Sequence, residues 1–173
     1  MKKIFIIAFV AVLSVSLAGC EWIKWRRYKN PEYKFSLLIM RDWLIDEDAE
    51  EAPLVVYLPQ LDSKSQFRTN FRVSVQDLPV EVQLTTYYDI NREELKQVFP
   101  RQGNLKEGQG MAGFVRYQWL SFDAQIAEGV IVRVINAVWV KGKRVYVFSC
   151  AMEFNAVGKF EPLIQKTISS FRI

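Results

Sequence analysis

The stretch from Val130 to Met152 constrains the fold more than any other part of the sequence. Valines of one parity alternate with other residues on both sides of Lys141-Gly142-Lys143, which is the pattern of two β-strands joined by a tight turn. The residues between the valines, Trp139 and Phe148 among them, are also largely apolar. Because both faces of such a hairpin must be covered, the sequence predicts a long antiparallel hairpin in the centre of a sheet.

Apolar residues at every second position predict further strands, over residues 33–39, 54–58, 71–76 and 114–122. Four glycines punctuate the stretch from Gly103 to Gly113, which leads into the last of these strands. No internal repeat, low-complexity segment or second linker interrupts the pattern. The sequence therefore predicts one layered domain in which helices cover a largely antiparallel sheet.

Two segments have helical periodicity. Leu84, Tyr88 and Leu95 share one face and predict a helix over residues 84–99, ended by Pro100. Asn91 with Glu94 matches a capping box, so the sequence allows a break at residues 89–91. Apolar residues from 160 to 171 at helical spacing predict a C-terminal helix that faces the sheet, provided that Pro162 lies in its first turn.

The first twenty residues have the layout of a bacterial lipoprotein signal. Lys2 and Lys3 precede an apolar run from Ile4 to Leu17, which is shorter than the roughly 20 residues of a membrane-spanning helix. Leu17-Ala18-Gly19-Cys20 follows and resembles the lipobox. We therefore expect residues 1–19 to be cleaved and Cys20 to carry fatty acyl chains such as palmitate, each buried CH₂ contributing about 0.8 kcal/mol to membrane binding.

Residues 20–30 are assigned to a lipidated tether, and residues 31–173 to the domain. Glu21 favours the outer membrane by analogy, because an aspartate after the lipidated cysteine commonly favours inner-membrane retention. Basic and aromatic residues fill the rest of the tether: Trp22, Lys24, Trp25, Arg26, Arg27, Tyr28 and Lys29. This mixture suits either contact with anionic headgroups or a solvated linker.

The histidine and cysteine content limits the reactions that the chain could catalyse and the bonds that it could form. The chain has no histidine, which removes the usual near-neutral general base, the Ser-His and Cys-His nucleophile pairs and the commonest zinc ligand. Once Cys20 is acylated, Cys150 is the only thiol, so an intramolecular disulfide is impossible. Because Cys150 lies in an apolar run, we expect a buried structural thiol.

The charge balance argues against a nucleic-acid partner. Removal of Lys2 and Lys3 from the 23 basic residues leaves 21, against 19 acidic residues. Such a small excess does not provide the basic footprint that nucleic-acid binding requires.

A lipoprotein signal is followed by an opening strand with Tyr33-Lys34-Phe35-Ser36 that closes on Asp42-Trp43, a middle helix, a valine-rich hairpin and a last helix ending in Ser169-Ser170-Phe171. This order resembles the PsbP-like family over about Pro31 to Ile173. The resemblance implies an α+β fold, an α/β/α sandwich around a largely antiparallel sheet. The family includes an extrinsic photosystem subunit that supports calcium and chloride retention, and assembly factors. Because this chain has a lipid anchor and no histidine, no family site is transferred to it.

Three sets of residues are candidates for a site. The acidic run Asp46, Glu47, Asp48, Glu50 and Glu51 offers oxygen ligands for calcium, although it lacks the glycine and ligand spacing of an EF-hand loop, and it also suits a solvated surface or a patch for a basic partner. Acid–base catalysis needs two converging carboxylates, which spacing alone does not select among Asp77, Asp89, Glu93, Glu94, Asp123 and Glu128. Trp43, Trp119 and Trp139 suit either the core or a binding groove.

These observations predict a non-enzymatic lipoprotein, anchored to the cell membrane or outer membrane, that serves as an accessory or assembly module for an envelope protein complex. Its expected partners are membrane lipid and an envelope protein, with no nucleic acid and no cofactor other than the covalent lipid. The alternative is a lipoprotein that binds a small ligand or a cation such as calcium.

Overall fold

The structure, a computed structural model, describes residues 24–46, 49, 52–62 and 67–173. Its elements in chain order are strands β1 (Trp25–Asn30), β2 (Phe35–Met40), β3 (Leu44–Asp46), β4 (Leu54–Tyr57) and β5 (Asn70–Asp77), helix α1 (Leu84–Val98), strands β6 (Gln102–Ala112), β7 (Val115–Ala127), β8 (Val130–Lys141) and β9 (Arg144–Glu153), and helix α2 (Val157–Ser169). Among these described residues, no helix is long and apolar enough to cross a bilayer.

Seven strands form the main sheet, in the order β3-β4-β5-β9-β8-β7-β6, and all neighbours are antiparallel. The β8–β9 hairpin turns at Gly142, whose φ of +61° favours glycine. Both strands of this hairpin have a neighbour on their other side. The prediction of a central valine-rich hairpin is therefore confirmed.

Each face of the main sheet has its own core. The valines of β8 lie on one face with Leu120 and Phe122, and α1 covers them through Tyr88. The opposite parity, which includes Trp139 and Phe148, faces a second core formed with α2 and the β1–β2 hairpin. The predicted three-layer α+β architecture is confirmed, and one outer layer contains a β-hairpin beside its helix.

The β1–β2 hairpin is a separate two-stranded sheet. The free edge of β2 is closed by the C-terminal segment, because Ser36 and Arg172 exchange two backbone hydrogen bonds of 2.9 and 2.8 Å and the Leu38 amide donates to Ser170 Oγ at 2.8 Å. β1 thus extends the folded part of the chain back to Trp25, into the segment that the sequence analysis assigned to the tether.

Both helices differ in detail from the predictions. The break allowed at residues 89–91 is wrong, since α1 is continuous and Asn91 lies inside it. α2 begins at Val157, so Pro162 lies in its second turn rather than its first. Proline there leaves the carbonyl of Gly158 without its helical donor. Both residues are exposed, so water can hydrogen-bond to that carbonyl.

Candidate functional site

Exposed basic side chains are concentrated on the β1–β2 hairpin. Residues 24–43 carry six of them against only two acidic residues, Glu32 and Asp42, and the end of α2 with the segment after it adds two more. We call these eight residues the basic layer: Lys24, Arg26, Arg27, Lys29, Lys34, Arg41, Lys166 and Arg172. They lie on the side of the main sheet that α2 covers.

The basic layer is held by regular structure. Trp25 packs edge-to-face on buried Trp43, with ring centroids 6.1 Å apart, and the Lys166 ammonium lies 4.8 Å from the centre of the Trp25 ring. Arg27 Nη1 donates to Ser36 Oγ at 3.3 Å and to the Ser170 carbonyl at 3.4 Å. These contacts fix the charges on a strand and a helix end, whereas a solvated linker would leave them free to move.

An open depression of about 350 Å³ lies at the end of the hairpin remote from Trp25. Lys29, Lys34 and Arg172 contribute to its lining, with Asn30 and Ser36 between them. Three cations and two neutral hydrogen-bonding side chains around one depression favour an anionic group there.

The rest of the chain has the opposite charge. Of the 21 basic and 19 acidic residues that follow Cys20, the hairpin and the basic layer account for eight and two, which leaves 13 basic against 17 acidic residues elsewhere. The small net charge of residues 21–173 therefore conceals a strong separation of charge between the basic layer and the rest of the chain.

The fixed structure begins close to the predicted lipidation site. The Arg41 amide donates a hydrogen bond of 2.9 Å to the carbonyl of Lys24, so the chain is held from that residue onward. Three residues lie between Cys20 and Lys24 in sequence, and the four Cα–Cα steps that join the two residues span at most about 14 Å. Cys20 itself lies outside the residues that the structure describes.

A buried ion pair lies under α2. Asp123 of β7 and Arg133 of β8 face each other in register, and the guanidinium donates to both carboxylate oxygens. Asn104 Nδ2 donates to the same carboxylate at 2.6 Å, and Glu161 of α2 lies 3.4 Å from Arg133 Nη1. The hydrogen bond from Arg133 holds the pKa of Asp123 below its ordinary value of 3.8. These interactions link strands β6, β7 and β8 to helix α2, which indicates a structural role for the ion pair.

Three of the predicted acid–base candidates are bound by basic side chains. Asp77 is bound by Arg144 and Glu93 by Lys96, at 2.6 and 2.7 Å, and these hydrogen bonds lower the pKa of both carboxyls, as Arg133 does for Asp123. A general acid at neutral pH needs a raised pKa. The other three candidates, Asp89, Glu94 and Glu128, are exposed.

The acidic run proposed for calcium lies mostly outside the described residues. Asp46 ends β3, and the structure does not describe Glu47, Asp48, Glu50 or Glu51. Within the part of the chain that is described, no group of three or more carboxylate, cysteine or histidine residues could hold a metal ion.

An apolar groove, which sequence reasoning missed, lies on the far side of the main sheet from the basic layer. It encloses about 300 Å³ between residues 98–101 at the end of α1 and residues 124–127 at the end of β7. Two aliphatic side chains that line it are strongly exposed: Val98 by 68% and Ile126 by 43%. A cluster of this kind is typical of a contact surface for another macromolecule.

The remaining predictions about single residues concern the core. Trp43 and Trp139 are buried, which confirms the core interpretation for both, while Trp119 is half-buried. Cys150 is fully buried, as expected, and burial raises the pKa of its thiol.

Comparison with known protein families and with curated proteins finds no match. Solved structures, however, share the fold. Cyanobacterial PsbP (CyanoP) from Synechocystis sp. PCC 6803 has a TM-score of 0.65 and 15% identity over 87% of this chain and 93% of its own. LpqN, a protein involved in cell envelope biogenesis of Mycobacterium tuberculosis, has a TM-score of 0.64 and 10% identity over 85% and 88% of the two chains.

A protein of unknown function from Pseudomonas aeruginosa has a TM-score of 0.55 and 13% identity over 84% of this chain and 94% of its own. Such identities establish the fold alone. The chain therefore has the PsbP-like α+β fold that its sequence resembled.

Proposed function

We propose that this chain is a membrane-anchored, non-enzymatic lipoprotein that acts as an accessory or assembly module for a protein complex of the cell envelope. The observation that carries the proposal is the position of β1. A strand rich in basic and aromatic residues starts at Trp25, so a lipid on Cys20 would hold a rigid domain close to the bilayer. The anchor places the domain at the cell membrane or the outer membrane.

The structural neighbours support an envelope role in general terms. LpqN is involved in cell envelope biogenesis, and it shares the fold over most of both chains. Because one fold serves many functions, the likeness supports the class of process and names no partner.

A non-enzymatic role is supported by the state of the reactive groups. The chain has no histidine, its one thiol beyond Cys20 is buried at Cys150, and the carboxylates of Asp77, Glu93 and Asp123 are bound by cations. These features favour a protein that works by binding.

The apolar groove between α1 and β7 supports a protein partner. Val98 and Ile126 expose branched aliphatic surface there, and removal of such surface from water by a bound partner is favourable. Because the groove lies across the main sheet from the basic layer, the same domain can face lipid on one side and a protein on the other.

Position-specific crosslinking tests the proposal in the native bacterium. A photo-reactive amino acid at Ile126 is expected to capture one protein of defined mass, whereas the same group at exposed Lys141, at the other end of β8, is expected to capture none. Val98→Asp should abolish the crosslink while leaving the chain folded, because Val98 is 68% exposed.

Intact-mass analysis of the same material reports on the anchor. A mature chain that starts at Cys20 and carries the added mass of acyl chains is the expected result. An unmodified Cys20, a retained leader, or equal crosslinking at Ile126 and Lys141 would contradict the proposal.

A further inference from the structure

We propose that the β1–β2 hairpin lies flat against anionic phospholipid headgroups, which turns α1 and the apolar groove away from the bilayer. This inference rests on the proposed acylation of Cys20, and it adds an orientation that the anchor by itself does not set.

Basic side chains occur at both ends of the β1–β2 hairpin. β1 has six residues and is therefore about 20 Å long. Lys24 and Arg41 lie at the end near Cys20, whereas Lys29, Lys34 and Arg172 lie at the other end. A domain standing on its anchored end would bring only the first group to the headgroups, and a domain lying flat brings both.

The length of the connection also favours the flat orientation. At most about 14 Å of chain separates Lys24 from Cys20, which is less than the length of β1. An acylated Cys20 therefore keeps the near end of the hairpin beside the headgroups. The field of an anionic leaflet, which decays over roughly 8 to 10 Å in physiological salt, then acts on the nearest cations and favours rotation of the remaining ones toward the surface.

The depression between Lys29, Lys34 and Arg172 favours the flat orientation as well. Its volume of about 350 Å³ is open to solvent, and three of its eight lining residues are cations. A lipid phosphate accepts hydrogen bonds from several such groups at once. The far end of the hairpin therefore offers a binding site for a single headgroup in addition to its electrostatic attraction to the anionic surface.

Site-directed spin labelling of the acylated chain in vesicles tests the orientation. Asp42→Cys marks the near end of the hairpin, Glu32→Cys marks the far end and Thr86→Cys marks α1, and all three native residues are exposed. Cys150 is buried and Cys20 is acylated, so each label attaches to the introduced thiol. In phosphatidylcholine vesicles that contain phosphatidylglycerol, we expect labels 42 and 32 at headgroup depth and label 86 in water.

Charge reversal supplies the matched control. Lys29→Glu with Lys34→Glu reverses two charges at the far end, and Lys141→Glu with Lys143→Glu makes the same change in net charge on the exposed β8–β9 turn. Each cation near an anionic surface contributes about 1 kcal/mol to binding. Loss of two such contacts therefore lowers the equilibrium constant for the flat orientation, relative to one in which the far end is away from the bilayer, about 30-fold. Label 32 should move into water in the first variant and stay at headgroup depth in the second.

The outcomes separate this inference from the proposed function. If mass analysis shows an acylated Cys20 while label 32 remains in water with phosphatidylglycerol present, the flat orientation is wrong and the anchored module stands. A label 32 at headgroup depth in pure phosphatidylcholine would show that charge does not seat the layer, and would also overturn the inference. An unmodified Cys20 removes the proposed function itself.

Discussion

Replacement of Arg133 by methionine tests whether the ion pair under α2 ties the strands together. The Arg133 and Asp123 side chains are only 11% and 10% exposed. Methionine retains the apolar stem of the arginine, but it leaves the Asp123 carboxylate buried without its cation. Removal of one partner from a buried pair costs about 3 to 5 kcal/mol. Because Asn104 still donates to the carboxylate, we expect the lower end, a loss of about 3 kcal/mol in the free energy of unfolding at neutral pH.

The loss of stability caused by Arg133→Met should depend on pH in a defined direction. In the native chain Arg133 depresses the pKa of Asp123, so the pair stabilises the fold above the ordinary pKa of 3.8 and loses its effect as the pH falls through the lower folded value. In Arg133→Met the largest effect that lowers this pKa is gone, so the pKa of Asp123 rises from its native value, because only Asn104 and Lys106 then oppose the effect of burial. Protonation then relieves the buried charge, and the destabilisation should shrink as the pH is lowered from 7 toward 4.

Urea unfolding followed by circular dichroism measures both effects. The double variant Arg133→Met with Asp123→Leu is the control, and it should recover most of the lost stability because no unpaired charge remains. A loss below about 1 kcal/mol in the single variant, or a loss that does not change between pH 7 and pH 4, would refute the assignment of the pair as a buried structural tie.

Three further predictions follow from individual contacts. Gly110→Ala should lower the free energy of unfolding by about 1 to 3 kcal/mol, because a Cβ there would overlap the buried ring of Tyr117. Gly103→Ala, whose Cβ would have its nearest atom at 3.9 Å, should have little effect in the same urea assay. Alkylation of Cys150, followed by mass spectrometry, should occur only as the chain unfolds, and rapid labelling of the folded chain would contradict its burial. Calorimetric titration with calcium should give no binding heat; heat that disappears when the acidic run 46–51 is neutralised would favour the cation-binding alternative.

The β8–β9 hairpin could be predicted because its information is local. Each valine has its own partner across the turn, and the turn at Gly142 fixes the register. The central position of the hairpin could also be predicted, because both faces of its strands are apolar. A strand of that kind at the edge of a sheet would leave one backbone edge unpaired and would be harder to cover on both faces.

β6 gave no strand signal because its packing comes from the neighbouring strand. Glycine offers no side chain to a sheet and weakens a strand pattern. In the structure the rings of Trp119 and Tyr117 of β7 lie across Gly108 and Gly110 and fill the space that side chains would occupy. The periodicity of residues within β6 carries no information about this contact with the neighbouring strand. The same limit explains β1, whose strand partner β2 was recognised while β1 itself was assigned to the tether.

The Asp123–Arg133 pair could have been predicted with a longer β7. The sequence pattern indicated a strand ending at Phe122, but β7 continues to Ala127 and turns at Gly129. With that turn, the antiparallel register places Asp123 opposite Arg133. The helix break was wrongly allowed for a related reason: local capping preference at Asn91 is weaker than the packing of Tyr88 and its helical neighbours on the sheet.

The closure of β2 by the C-terminal segment also bears on the order of events during folding. Leu38 and Ser170 are 132 residues apart in sequence, yet they share a hydrogen bond. Before the C-terminal segment reaches β2, the N-terminal hairpin can pair with itself but has no neighbour for its second edge. Contacts over so long a separation form late and slow the final folding step. The part of the molecule that is made first is therefore among the last to be locked in place.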